Sequence, residues 1–434
     1  MRRGCASVEQ LKATIASEKL DNSDVFAYPR WVRINNLRTT LDDQFHTTFS
    51  AYQQVDTLNE LVPGRKVLYV DPHIPDLLAV PHGVDFTSSA AYKRGEIILQ
   101  DKASCFPAYL LLGRLHETWV GDLVDGCAAP GNKTTHLASL LEKQKKQTLE
   151  VNRAKNQIFS MDASRTRSKT LQKMVSLAGA DATVTVLPAQ DFLALDPTDS
   201  RFKNVTGLLL DPSCSGSGII GRDDVPQLTL PRPISTRKKR KRGNDQVRPA
   251  TTDEATTSPS AENHIPTCAV NHERLRKLSN LQARIVEHAF CFPSATHVTY
   301  STCSVHLIEN EGVVARLLAS EVARRRGWRL LRRDEQPPGL HKWKYRGIRR
   351  DRTTETISDP DINAAVDSLP DETMEACLRC WPGDAEGLGG FFVAGFVRDP
   401  SIAAETPSRL DVVDLDDISA TGEVEDEEWK GFSD

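Results

Sequence analysis

The stretch "LVDGCAAPGNKTTHLA", residues 123–138, decides the fold. An apolar run ends at Asp125, small residues follow, and a helix-compatible pattern starts at Asn132. Small residues let a backbone approach a ligand closely, and the free N–H groups at a helix start receive anionic or polar groups. A phosphate-binding Walker loop is excluded by spacing, because Asn132 separates Gly131 from Lys133 where that loop needs Gly-Lys in succession. No GxGxxG fingerprint is present either. What fits is the first βα turn of a doubly wound sheet, where the C-terminal ends of the strands receive a carboxylate and an adenosine.

Working outward, the pattern alternates. "CFPAYLLLGRL" reads as a helix, 122–125 as a strand and Asn132 to about Glu142 as a helix. Residues 157–162 read as a strand, Arg165–Gly179 as a helix, and 182–187 and 205–211 as strands. His272–Phe290 repeats apolar residues at helical spacing (Leu275, Leu278, Leu281, Ile285, Val286, Ala289); 296–301 and 389–398 return to β. Such alternation predicts an α/β fold with a mostly parallel sheet of six or seven strands covered on both faces. The catalytic domain is placed at residues 104–400. An N-terminal region, 1–103, carries "YPRWVRINNL" (28–37), in which Arg30 and Arg33, with Arg38 just beyond, surround Trp31. That mix suits contact with phosphates and stacking on bases, or a half-buried edge strand with solvated arginines.

The chain has 434 residues and a net charge of −4, with a 39% hydrophobic fraction sufficient for a full core. Residues 411–434 hold ten acids and one lysine, a net of −9, so the preceding 410 residues carry +5. A disordered basic insertion is expected at 231–266, around "RKKRKR" (237–242), and a disordered acidic tail at 401–434. The basic run suits a nuclear or nucleolar address, or a grip on nucleic acid. Nine cysteines without a repeating spacing, and no signal-peptide pattern, predict reduced thiols. No apolar run reaches membrane-span length. "CLRC" (377–380) lacks the further ligands a zinc site needs, and no metal is expected.

Asp162 and Asp191 follow the second and third strands, where a carboxylate can meet ribose hydroxyls or adenine; each also suits a helix N-cap. The fourth strand delivers "DPSCSGSG" (211–218), with Asp211 and Cys214. The fifth delivers Cys303 in "TYSTCSVHLIENEGVV" (299–314). A free cysteine is commonly a small buried hydrophobe. At the end of a strand, between Thr302 and Ser304 and just before a helix, Cys303 is placed instead as a thiolate nucleophile. The fourth and fifth strands are neighbours in this architecture, so thiols 89 residues apart would face one pocket.

"DGCAAPGNKT", "DPSCSGSG" and "YSTCS…ENE", with "PRWVRINNL" and "QDKASCFPA" upstream, resemble the motifs of the Nop/Sun (RsmB-like) RNA cytosine-C5 methyltransferases over about residues 28–398. Ser213 makes the chain resemble the eukaryotic large-subunit ribosomal RNA subfamily, whose amino-terminal segment is usually longer. The resemblance implies a seven-stranded Rossmann-like class I methyltransferase domain behind a smaller N-terminal α/β RNA-binding region, and S-adenosyl-L-methionine as cofactor. It implies Cys303 as the nucleophile toward cytosine C6, Cys214 assisting release, and Asp211 at the base edge. Cys127, Ala128, Ala129, Pro130, Gly131, Asn132, Lys133, Asp162, Arg167, Asp191 and Asp211 would hold the cofactor. The implied partner is ribosomal RNA or a pre-ribosome in the nucleolus, met by a monomer. A catalytically weak ribosome-assembly factor on the same fold is the alternative. DNA methyltransferases put their cysteine directly after proline, whereas Ser213 intervenes here, and the Asn-Pro-Pro-aromatic turn of amide methyltransferases is absent.

Overall fold

In the parallel part of the structure each strand is a short apolar run that stops at an acid, a proline or a small polar residue. The computed structural model describes residues 28–114, 118–147, 156–219, 272–350 and 359–402. The basic insertion 231–266 and the acidic residues 411–434 lie outside the described residues. The first sheet contains β1 (Arg30–Ile34), β2 (Gln53–Val55), β3 (Val67–Val70), β4 (Leu77–Val80) and β5 (Ile97–Leu99), in the order β2-β3-β4-β1-β5. Two short helices, α1 (Leu41–His46) and α2 (Ala90–Lys93), accompany it.

The second sheet contains β6 (Asp122–Asp125), β7 (Ile158–Asp162), β8 (Val184–Pro188), β9 (Val205–Leu210), β10 (His297–Thr302), β11 (Trp328–Leu330), β12 (Leu378–Cys380) and β13 (Phe391–Arg398). Its order is β11-β13-β10-β9-β6-β7-β8, with β12 also pairing β13. The five strands β6 to β10 are parallel, and β13 runs antiparallel beside β10. This is the doubly wound, Rossmann-like arrangement expected, with eight strands rather than six or seven. The two extra strands, β11 and β12, are three residues each, and "CLRC" supplies β12.

The longer helices are α3 (Lys102–Leu112), α4 (Asn132–Gln147), α5 (Arg165–Ala178), α6 (His272–Phe290) and α7 (Glu311–Ala319), followed by shorter ones at Glu321–Arg326, Pro338–His341, Pro360–Asp367 and Asp371–Ala376. Local chemistry sets their ends. Ser164 Oγ accepts from Arg167 N at the start of α5, and Gly179 closes that helix at φ 74°, where a side chain would be strained. In α6 the expected stripe holds at Leu275, Ile285, Val286 and Ala289, but Leu281 is 36% exposed and Ser279, Gln282 and Ala283 are buried. Gln282 turns inward because it has buried polar partners in the active-site loops.

The reading of "YPRWVRINNL" is corrected. Trp31 is 2% and Arg33 1% exposed, and β1 is hydrogen-bonded on both sides by β4 and β5. It is therefore not an edge strand, and neither side chain is available to RNA; Arg30 and Arg38 remain exposed. Arg33 Nε donates to Gln100 Oε1 at 2.7 Å and its Nη2 to Thr135 Oγ1 at 3.0 Å, reaching the first turn of α4. Trp31, Leu77 and Ala79 share one apolar core with Phe106, Tyr109 and Leu110 of α3 and Leu123 of β6. Among the described residues no helix is long and apolar enough to cross a membrane.

Candidate active site

Because β6 to β10 run the same way, their C-terminal ends share one rim, and the residues just beyond them form the site. Asp125 ends β6 fully buried, accepts from Thr134 Oγ1 at 2.7 Å, and has its carboxyl pushed up to about 7 by burial. The loop after it packs closely. A Cβ on Gly126 would lie 2.8 Å from the Leu210 side chain, and Gly131 sits at φ 113°. Ala128 N donates to Met161 O at 2.9 Å, the Ala129–Pro130 bond is cis, and burial with the nearby Asp125 pushes the Cys127 thiol up. Asn132 Oδ1 is buried with no hydrogen-bond partner among the described residues, leaving one acceptor available at the helix start.

The other proposed cofactor residues divide. Asp162 ends β7, accepts from Ser164 N at 3.0 Å and pairs with Arg167 at 3.3 Å; Arg167 Nη2 also donates to Ala129 O at 2.9 Å, tying the two loops together. Asp191 is exposed and caps the 3₁₀ turn Phe192–Ala194 by accepting from Leu193 N at 3.0 Å, the N-cap alternative of the sequence. Lys133 points away from the small-residue loop. Its ammonium donates to Asp211 Oδ2 at 2.7 Å and to Ser104 Oγ at 3.2 Å, and it lies 5.5 Å from the Phe391 ring centre. Burial pulls the Lys133 ammonium down, but Asp211 outweighs it and the net shift is upward.

Asp211 follows β9 and accepts from Ser301 Oγ of β10 at 2.6 Å. Across the same pair of strands, Cys214 Sγ and Cys303 Sγ are 2.9 Å apart. The half-buried Cys214 thiol is pushed up, first by its hydrogen bond with Cys303 and then by loss of solvent. Cys303 is drawn below the usual thiol range, first by that hydrogen bond and then by Lys133, against burial and Asp211. The two cysteine loops are laced together: Gly218 N donates to Cys303 O at 2.9 Å, Val305 N to Ser217 Oγ at 3.0 Å, and Ser215 Oγ to Ser304 Oγ at 3.1 Å. The helix expected directly after Cys303 is preceded by a 3₁₀ turn, Leu307–Glu309. The structure also brings in Gln282, Tyr300 and Glu309, which sequence reasoning did not assign. Tyr300 and Glu309 stand in the quoted "YSTCS…ENE" stretch without a role of their own, and the signal at Gln282 was polarity inside an apolar-patterned helix. Among the described residues no cluster of three or more His, Cys, Asp or Glu has the arrangement of a metal site.

This geometry, a small-residue loop on the first βα turn beside two converging thiols, suits covalent chemistry on a flat ring next to a bound cofactor. Comparison with known proteins agrees. Residues 28–100 match the model of the NOL1/NOP2/Sun domain family member 5 ferredoxin-like domain, and residues 109–243 match that of the 16S rRNA methyltransferase RsmB/F. The chain is 36% identical over 383 residues to the 25S rRNA (cytosine-C(5))-methyltransferase of Schizosaccharomyces pombe, covering 88% of this chain and 66% of that protein. It is 31% identical over 400 residues to the 28S rRNA (cytosine-C(5))-methyltransferase of Mus musculus, covering 91% and 67%. The chain thus spans about two thirds of the length of these relatives. Its fold matches the crystal structure of a methyltransferase homolog protein from Pyrococcus horikoshii at a TM-score of 0.50 and 19% identity, over 86% of this chain and 87% of that one. With the sheet order, the paired thiols and these matches in agreement, the chain belongs to the NOL1/NOP2/Sun domain member 5 family of RNA cytosine-C5 methyltransferases.

Proposed function

We propose that this chain methylates carbon 5 of a cytosine in large-subunit ribosomal RNA, using S-adenosylmethionine, in the nucleolus. The observation that carries the reading is the 2.9 Å approach of Cys214 and Cys303 from neighbouring strands. Carbon 5 of cytosine is a weak nucleophile. The Cys303 thiolate adds to carbon 6, its electron pair forming the S–C bond while the 5,6 double bond moves its electrons toward carbon 5. Asp211 hydrogen-bonds the base edge and favours the protonated adduct. S-adenosylmethionine, when bound, would supply a methyl group on a sulfonium; carbon 5 would take it with its electron pair as the methyl–sulfur bond breaks and leaves its electrons on the now neutral sulfur. Release then needs the carbon 5 proton to leave to a base, the double bond to re-form and Cys303 to depart as thiolate; Cys214 assists this step.

Cys127 to Asn132 and Asp162 would hold the cofactor, with Arg167 bracing the loop and Asp191 meeting it through Oδ2, since Oδ1 is taken by the cap; the buried unpartnered Asn132 Oδ1 supports the fit. We assign RNA binding to the region 1–103, through its exposed cations such as Arg30 and Arg38, and methyl transfer to 104–400. The target base must stand out of its stack to reach the thiols. Bisulfite mapping of ribosomal RNA with and without the protein tests the substrate. Cys303→Ala is expected to abolish methyl transfer while S-adenosylmethionine still binds; full activity in that variant ends the reading. Binding of cofactor and RNA by the unaltered protein without turnover returns the chain to the assembly-factor class.

A further inference from the structure

Three consecutive polar residues, Glu309, Asn310 and Glu311, are fully buried, and each reaches a different loop. Glu309 Oε1 accepts from Ser215 N at 2.9 Å and from Gln282 Nε2 at 2.9 Å, and Gln282 Nε2 also donates to Ser213 O at 3.0 Å. These contacts fall on the residues immediately before and after Cys214. The two acceptors of Gln282 Nε2 fix which way the amide faces, and Tyr300 OH donates to Glu309 O at 2.5 Å. Asn310 repeats the arrangement on the other loop. Its Oδ1 accepts from Thr302 Oγ1 at 2.6 Å and its Nδ2 donates to Ser304 O at 2.9 Å, on the residues immediately before and after Cys303. Glu311 holds Arg379, whose Nη1 donates to Val305 O at 2.8 Å.

We propose that Glu309 with Gln282, and Asn310 alone, are positioning residues that hold the two thiols separately, the first pair setting Cys214 and the second residue setting Cys303. One dipeptide thereby fixes the sulfur that bonds the base relative to the sulfur that assists its release. None of the three side chains needs to touch substrate. The inference rests on the covalent reading given above, and it predicts opposite phenotypes for adjacent residues, which a general loss of stability does not produce.

The test uses the full chain, S-adenosylmethionine and an in vitro transcript of large-subunit ribosomal RNA, with cofactor binding by calorimetry as the check on folding. Adduct formation and decay are followed on denaturing gels, beside methyl incorporation. Glu309→Ala and Gln282→Ala are expected to form the protein–RNA adduct at nearly the normal rate but to accumulate it about tenfold, as Cys214→Ala does. Asn310→Ala is expected to form it about tenfold more slowly without accumulation, the size of effect that loss of one or two buried hydrogen bonds produces. Glu309→Gln, which keeps the acceptor oxygen, is expected to restore turnover to within about threefold. If Glu309→Ala fails to bind cofactor, Gln282→Ala and Glu309→Gln decide. Equal slowing in the Glu309 and Asn310 variants, or no change in either, overturns the inference while Cys214→Ala still accumulates adduct. Absence of adduct in Cys214→Ala overturns the covalent reading and this inference together.

Discussion

Replacing Lys133 by methionine keeps the apolar stem and removes the cation beside Asp211. In the intact site the two charges offset each other next to Cys303. Without Lys133 the Asp211 carboxylate keeps only its hydrogen bond from Ser301, and a thiolate at Cys303 then forms against an unbalanced negative charge. The Lys133 and Asp211 side chains are 13% and 27% exposed, so solvent screens the pair little. A hydrogen bond between charged groups contributes about 1.5–3 kcal/mol. That sets the scale of the loss, about tenfold or more in the rate of a step that needs the anionic site. The direction follows from the sign of the lost charge: removing a cation disfavours the anion, so the thiol titrates higher. Single-turnover adduct formation with excess enzyme, measured from about pH 5.5 to 10 at constant ionic strength, should show the rising limb displaced toward higher pH. The variant would be about tenfold slower near pH 7 and recover at high pH. A uniform drop at every pH, with the limb unmoved, refutes the electrostatic argument and leaves Lys133 a purely geometric role.

Other consequences are as direct. Lys102, fully buried, pairs with Asp71 at 2.5 Å and Glu386 at 3.3 Å, so Asp71→Asn should destabilise the protein by about 3 kcal/mol in denaturant unfolding. The Asp71 carboxyl is held below its ordinary 3.8, because the hydrogen bond to His73 and the Lys102 charge together overcome burial; its stabilisation is therefore complete above that value and lost as pH falls through the lower folded one. Unfolding curves in acid should be flatter for Asp71→Asn than for the native chain. Arg33→Met removes a buried guanidinium whose pKa burial lowers to about 10 and leaves Gln100 Oε1 buried without its donor, so stability should fall by about 1–3 kcal/mol while S-adenosylmethionine affinity, measured by calorimetry, falls about tenfold as α4 loses its brace. A Cβ on Gly218 would lie 2.2 Å from Gly390 O, so Gly218→Ala should shift the Cys214 loop and lower methyl incorporation by about tenfold or more, an overpacking cost of about 1–3 kcal/mol.

The parallel sheet was legible because its strands are short apolar runs with acids or glycines at their ends, and a parallel sheet turns those ends into one rim. The same logic brought Cys214 and Cys303 together from 89 residues apart. What was not legible has a common cause. Arg33, Lys102 and Arg379 are buried cations, and a cation reads as solvated unless its partner is known. Those partners lie far along the chain, at Gln100 for Arg33 and Glu311 for Arg379. Gln282 hid for the same reason on α6, where Leu281 fits the apolar spacing and yet faces out. Strands β11 and β12, at three residues each, are too short for an alternation to register. Asp191 had two readings of equal form, and only the backbone conformation distinguishes a cap from a free carboxylate.

The placement of β1 bears on how substrate would be held. Two kinds of contact join the first sheet to the second, and they do different things. Apolar contact between Trp31, Leu77 and Ala79 and the buried face of α3 supplies the adhesion, since burying such surface is favourable at any register. Buried polar contacts supply the register. Asn35 Nδ2 donates to Gly95 O and Ala178 O, Asn36 N to Ser139 Oγ, and Lys143 pairs with Asp76 at 2.6 Å. Charged and polar partners add little net stability over apolar ones, but a sliding displacement leaves each of them buried and unpaired at several kcal/mol. The first sheet is therefore locked in one orientation against α4 and α5, the helices that follow the two cofactor-side strands. On the RNA-binding role proposed above for this sheet, an RNA segment held by its exposed cations would be held at a fixed distance from Cys303, so choosing where the strand binds and choosing which base reaches the thiol would become one geometric decision.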